Sequence, residues 1–127
     1  MLKESEIEKM AVEVRSFLIN IGLWIDTRIY FNGKAFATSD KIGNFAYNNP
    51  DRLIVLEDED PKDYFDYVNE PNILSMSFEG PLYDCLNWVS GFPKTDELVV
   101  NGLNRIFGKY GCHFELGNSW NLTVYED

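Results

Sequence analysis

Two stretches of this chain each carry one broad apolar stripe at helical spacing, and both stripes need a layer to hide them. In the first, Ile7, Met10, Ala11, Val14, Phe17, Leu18 and Ile21 recur at three- and four-residue steps. Glu4, Glu6, Glu8, Lys9, Glu13 and Arg15 fill most of the positions between. The pattern predicts an amphipathic helix over about residues 4–20, with Gly22 as its stop. In the second, Val99, Val100, Leu103, Ile106, Phe107 and Tyr110 form the stripe of a helix capped by Thr95 and closed by Gly111. One-sided helices are stable only against a common apolar layer.

The rest of the chain offers strands for that layer. Residues 24–31 and 34–38 flank Asn32-Gly33, the strongest short-range hairpin signal, because both turn residues must accept positive φ. Residues 39–51 are polar, contain Gly43, Asn48, Asn49 and Pro50, and read as a loop. Four consecutive apolar residues, Leu53 to Leu56, suit a strand covered on both faces. Residues 72–78 alternate, with Leu74, Met76 and Phe78 on one side and Ile73, Ser75 and Ser77 on the other. Gly80-Pro81 opens a helix to about Ser90 that turns Leu82, Cys85, Leu86 and Val89 inward, and Gly91-Phe92-Pro93 breaks it. Residues 113–116 and 120–125 bracket Gly117-Asn118-Ser119, a three-residue hairpin loop. Hairpin connections dominate, so the expected fold is α+β: a mainly antiparallel sheet of about five to six strands with helices packed on one face. At 127 residues, with 45% hydrophobic and 15% aromatic residues, the chain is expected to form a single domain over residues 1–127.

Charge is concentrated. Residues 57–70 (EDEDPKDYFDYVNE) hold seven acids and one lysine, and so carry minus six of a net charge of minus ten. Asp60 suits a cap and Pro61 the first helical position, with Tyr64, Phe65 and Val68 on one flank of a helix of about two turns. Glu59, Asp63, Asp66 and Glu70 would then share the opposite face. Capping accounts for Asp60 and Asp63, not for seven acids. A partner-directed role weighs against simple solubility here. The candidate partner-binding residues are Glu57, Asp58, Glu59, Asp60, Asp63, Tyr64, Asp66, Tyr67 and Glu70, acids that would select a basic surface around aromatic anchors. Trp88, Phe92, Trp120 and Tyr125 are further candidates for such a patch.

The same acidity argues against direct contact with a nucleic-acid backbone or an anionic membrane, since Lys3, Lys9, Arg15, Arg28, Lys34, Lys41 and Arg52 are scattered among acids. No stretch approaches the roughly 18 apolar residues of a membrane span. The first residues lack the basic leader and apolar run of a secretion signal, and a cytoplasmic location is expected. Cys85 and Cys112 do not form a C-x-x-C pair and read as reduced, buried residues.

Familiar catalytic signatures are missing: no phosphate-cradling glycine loop, no G-x-G-x-x-G, no H-E-x-x-H and no G-x-S-x-G. A calcium loop begun at Asp58 fails at its fifth, sixth and twelfth positions, where Lys62, Asp63 and Asn69 stand. No metal ligands and no cofactor are expected. Cys112 and His113 are neighbours, but adjacent strand residues point to opposite faces, so Cys112 should face the core and His113 the surface. Only Cys85 approaching His113 in space would make a thiol nucleophile. Glu79 and Asp84, a conceivable acid–base pair, read as favourable charges at a helix N-terminus.

Small size, acidity and aromatic content together are similar to those of toxin-immunity proteins and phage-encoded nuclease inhibitors. This is a resemblance of composition, without a motif or residue assignments. The expected function is that of a small acidic binding protein, of inhibitor or immunity type, occupying a basic surface of a nuclease or another nucleic-acid-binding protein. The alternative is a small-molecule-binding or enzymatic α+β domain. The oligomeric state cannot be read from the chain.

Overall fold

A computed structural model describes residues 1–65, 68–69 and 71–127. Along the chain run α1 (Glu4–Asn20), β1 (Thr27–Phe31), β2 (Lys34–Ala37), β3 (Ile54–Glu57), a single 3-10 turn (Pro61–Asp63), β4 (Leu74–Phe78), α2 (Pro81–Leu86), α3 (Pro93–Lys109), β5 (Cys112–Asn118) and β6 (Asn121–Glu126). The strands form one sheet in the order β3-β2-β1-β4-β6-β5, antiparallel at every pairing. The α+β expectation is met, with six strands. No helix among the described residues is long and apolar enough to cross a membrane.

Period-two alternation divides the sheet into two unlike faces. Register aligns Val55, Phe36, Ile29, Met76, Leu122 and Leu116 in one row across all six strands. The middle four are buried against Met10, Val14 and Leu18 of α1, Leu82 and Leu86 of α2 and Val99, Leu103 and Phe107 of α3, so the main core lies between this face and the helices. Its two ends, Val55 and Leu116, are exposed on the two edge strands, although α3 still reaches β5 at Phe114, which meets Phe107 at 5.9 Å. This corrects the expectation for residues 53–56: β3 is an edge, and of its four residues only Leu56 is buried.

Helix ends follow local backbone rules, with one departure. Asn32 and Gly33 take φ of 49° and 77°, as the tight β1–β2 turn requires. At the end of α1, the Leu23 N–H donates to the Leu18 carbonyl and the Gly22 N–H to that of Ile19, with Gly22 at φ 75°. This is the Schellman closure that favours glycine. The same pair of bonds closes α2, from Val89 to Asp84 and from Trp88 to Cys85, but here the left-handed residue is Trp88 at φ 58°. Helix α2 therefore ends at Leu86, short of the expected Ser90. Helix α3 begins at Pro93, so Thr95 lies inside it rather than capping it.

Arg15 also departs from the sequence reading, which put it on a solvated back. It is buried, and its Nη2 donates to the Asn49 and Arg52 carbonyls at 3.1 Å each, pinning the end of the 39–52 loop to α1. The β5–β6 turn is tighter than expected: Asn118 pairs with Asn121, and an irregularity at Gly117 absorbs the extra residue.

Candidate functional site: the helix-free face of the sheet

Among the described residues the second sheet face carries no α-helix. One row across it reads Leu56, Ala35, Tyr30, Ser75, Thr123 and Glu115. The next reads Ile54, Ala37, Arg28, Ser77 and Asn121. Such a face is too polar to bury a helix and too apolar at Tyr30 and Leu56 to stand bare. The acidic segment covers that part of it.

The covering starts where the Glu59 N–H donates to the Gly33 carbonyl at 2.9 Å, which ties the segment to the β1–β2 turn. Asp60 then accepts from the Lys62 N–H at 3.0 Å and starts the 3-10 turn at Pro61. The turn delivers two aromatic rings to the sheet. Tyr64 stacks on Tyr30 at 5.8 Å, and the buried Phe65 meets Tyr30 at 5.7 Å and Trp120 at 5.6 Å, both edge to face. Tyr30 and Phe65 form a second, smaller core with Ala35, Ala37 and Leu56, and Trp120 packs against it.

Glu59 turns inward. Its side chain is fully buried, Oε2 accepts the Tyr64 hydroxyl at 2.5 Å, and Oε1 lies 2.8 Å from Lys41 Nζ. The ammonium approaches Oε1 off the line of a good hydrogen bond, so the contact is ionic rather than directional. Burial by itself pushes the Glu59 carboxyl up, but Lys41, the Tyr64 hydroxyl and the more distant Arg28 outweigh it and hold the group below its ordinary value. In return, Glu59 raises Lys41 and Tyr64 through the same two contacts.

The sequence-derived candidates thus divide. Asp58, Asp60 and Asp63 are exposed on the segment, Glu57 is exposed at the end of β3 on the same sheet face as Val55, Tyr64 is 46% exposed, and Glu59 is withdrawn from any partner. Asp66, Tyr67 and Glu70 lie outside the described residues. Among the described residues the expected two-turn helix is present only as the 3-10 turn Pro61–Asp63, and the buried Glu59 and exposed Asp63 do not share a face. The reason is tertiary: burying Phe65 and Glu59 against the sheet gains more than extending a helix with no apolar layer of its own. Of the other aromatics, Trp88 and Phe92 are exposed at the α2–α3 corner, whereas Trp120 packs on Phe65 and the Tyr125 hydroxyl accepts the Asn69 N–H at 3.2 Å.

Beside the strap, a cleft of about 390 Å³ opens at the end of the sheet where β1 begins and β4 ends. Arg28 and Ser77 line its floor, Tyr30, Tyr64 and Trp120 its sides, and Asp26 and Glu79 its rim. Sequence reasoning passed over Arg28, Tyr30 and Lys41. The first two were within reach, since they alternate with Ile29 and Phe31 in a strand whose other face is core. The Lys41–Glu59 contact joins two segments outside the strands, and no local pattern announces it.

Neither cysteine is placed to react. Burial, then Asp96, pushes the Cys85 thiol up to about 11, and burial with Glu126 and Asp127 raises Cys112. His113 sits at the exposed surface of β5, its Nδ1 2.6 Å from Asp127 Oδ1 and its Nε2 2.9 Å from Glu115 Oε2. The cleft takes in Glu79 without Asp84. Among the described residues no group of three or more His, Cys, Asp or Glu side chains is arranged to hold a metal ion.

The fold and this face define an α+β domain with one helix-covered sheet face and one face strapped by an acidic segment. Compared with protein-family models, curated proteins and solved structures, the chain matches none of them significantly.

Proposed function

We propose that the protein is a non-enzymatic binding domain that offers the outer side of its acidic strap to a basic protein surface, as an inhibitor of a nuclease or of another nucleic-acid-binding protein would. One observation carries the reading. Glu59 and Phe65 anchor the strap from beneath, and so fix the backbone that carries the exposed Asp58, Asp60 and Asp63 beside the half-exposed Tyr64, with the exposed Glu57 at the adjoining end of β3. Preorganised charge binds at lower entropic cost than a mobile acidic run, and it steers a cationic partner during encounter. Solubility alone needs no anchor.

The test is affinity capture from host extract at low salt, repeated with Asp58→Lys, Asp60→Lys and Asp63→Lys combined. All three residues are exposed, but Asp60 also accepts the Lys62 N–H that starts the 3-10 turn, so the variant's fold is checked by circular dichroism before capture. The reading expects a captured basic protein whose retention falls with added salt and is lost in the variant. Undiminished retention by the folded variant would remove the strap as the binding surface.

A further inference from the structure

The floor of the cleft holds a charge that the partner reading does not use. Arg28 stands between Ala37 and Ser77 on the neighbouring strands, two side chains too short to fill the space beside it. Among the described residues its guanidinium has no hydrogen-bond or ion-pair partner; it lies over the Tyr64 ring, 6.0 Å from the guanidinium carbon to the centroid, and acts on Glu59 only at a distance. Arginine stays charged and offers five donors in a planar fork that matches a carboxylate. In a chain of net charge minus ten, an arginine left unpaired at the floor of a cleft is a specific feature.

Acids bound the same cleft one step along the ladder. The Glu79 N–H donates to the Asp26 carbonyl at 3.1 Å, which sets these two residues opposite each other at the end of the β1–β4 pair. Asp26 is held by the Tyr47 hydroxyl at 2.7 Å, while the Glu79 side chain is exposed without a partner among the described residues. A purely anionic ligand would gain Arg28 and be repelled by Asp26 and Glu79. A purely cationic one would meet the reverse. A molecule with both charges on an apolar, planar body satisfies all three groups and the aromatic sides, and about 390 Å³ lies within the ~300–1,000 Å³ range of small-molecule sites.

We infer that the cleft binds a zwitterionic amino acid with an aromatic side chain, its carboxylate on Arg28, its ammonium toward Glu79 and Asp26, and its ring beside Tyr64 and Trp120. The site shares Tyr64 with the partner surface but needs none of Glu57, Asp58, Asp60 or Asp63, so the charge-reversed strap variant should lose the partner and still bind the amino acid.

The experiment titrates L-phenylalanine and L-tryptophan calorimetrically into the full chain, alongside phenylpropionate, which keeps only the carboxylate, and phenylethylamine, which keeps only the ammonium. At least one amino acid should bind, each single-charge analogue at least about tenfold more weakly, as expected for losing one charged hydrogen-bonding group. Arg28→Met should abolish binding and Glu79→Gln weaken it about tenfold. Because Arg28→Met also removes the contact with the Tyr64 ring, the wild-type protein is also followed by NMR. Shifts concentrated at Arg28, Ser77, Tyr64 and the Trp120 indole support the site. No binding by either amino acid, equal binding of an analogue, undiminished binding by Arg28→Met, or shifts centred elsewhere would each overturn it.

Discussion

Replacing Glu59 with Ala removes the one carboxylate that the strap turns inward, and the geometry sets the expected cost. The variant loses the hydrogen bond from the Tyr64 hydroxyl, made at 2.5 Å, and the Lys41 contact at 2.8 Å. A hydrogen bond to a charged group contributes about 1.5–3 kcal/mol. The ion pair adds less, because the Lys41 side chain is 62% exposed and regains water once its partner is gone. It belongs with surface pairs of ~0.2–1 kcal/mol, not with the ~3–5 kcal/mol of a cation left buried. The expected loss is therefore about 2–3 kcal/mol in urea unfolding. Lys41→Ala alone should cost under about 1 kcal/mol. Acidity supplies a second arm. The folded Glu59 carboxyl lies below its ordinary value of 4.5, so its contribution is fully present above that pH and disappears as pH falls through the lower folded value. The gap between wild type and Glu59→Ala should accordingly shrink in acid. A loss under about 0.5 kcal/mol at neutral pH, or a gap that does not narrow in acid, would refute the claim that Glu59 anchors the strap.

Trp88→Gly should leave stability unchanged or raise it by up to ~1 kcal/mol, because a left-handed non-glycine residue costs ~1–2 kcal/mol and the ring is 55% exposed; a loss above about 1 kcal/mol in chemical denaturation would contradict this. Leu103→Ala, fully buried between α3 and the sheet, should cost ~2–5 kcal/mol. Gly102→Ala would bring a methyl group to 2.1 Å from Phe17 Cζ and force that ring aside. Its cost of ~1–3 kcal/mol should shrink when Phe17→Leu is added, and simple additivity of the two would show that the helices do not meet there. His113 should titrate above its ordinary 6.5, held up by Glu115 and then Asp127, so its stabilising effect is complete below that pH and fades as pH rises through the folded value. NMR titration should show the value falling back toward 6.5 in Glu115→Gln with Asp127→Asn.

What was legible in the chain was what its local physics controls. The stripes of α1 and α3, the Asn32-Gly33 turn and the Gly22 and Gly111 stops all depend on side chains and φ angles within a few residues of one another, and each appears where the pattern put it. The readings that changed had lost to distant contacts. Leu53 to Leu56 carry the apolar run of a doubly covered strand, but strand order places β3 at an edge. The acidic segment carries the signals of a two-turn helix, yet Phe65 finds Tyr30 and Trp120, and the backbone is drawn into a single 3-10 turn. Of the candidate partner surface, four exposed acids and Tyr64 were visible beforehand, while the inward role of Glu59 was not.

The amino-acid sequence by itself determined the class of fold, because one-sided helices and hairpin-linked alternating strands can hide their apolar faces in few other ways. Only the tertiary structure decided which acids face solvent and which residues border the cleft. Arg28 and Trp120 come to one cleft, and Lys41 to Glu59, because strand order and register bring distant segments side by side, and those are settled by burial summed over the whole sheet, a quantity that no local window of residues contains.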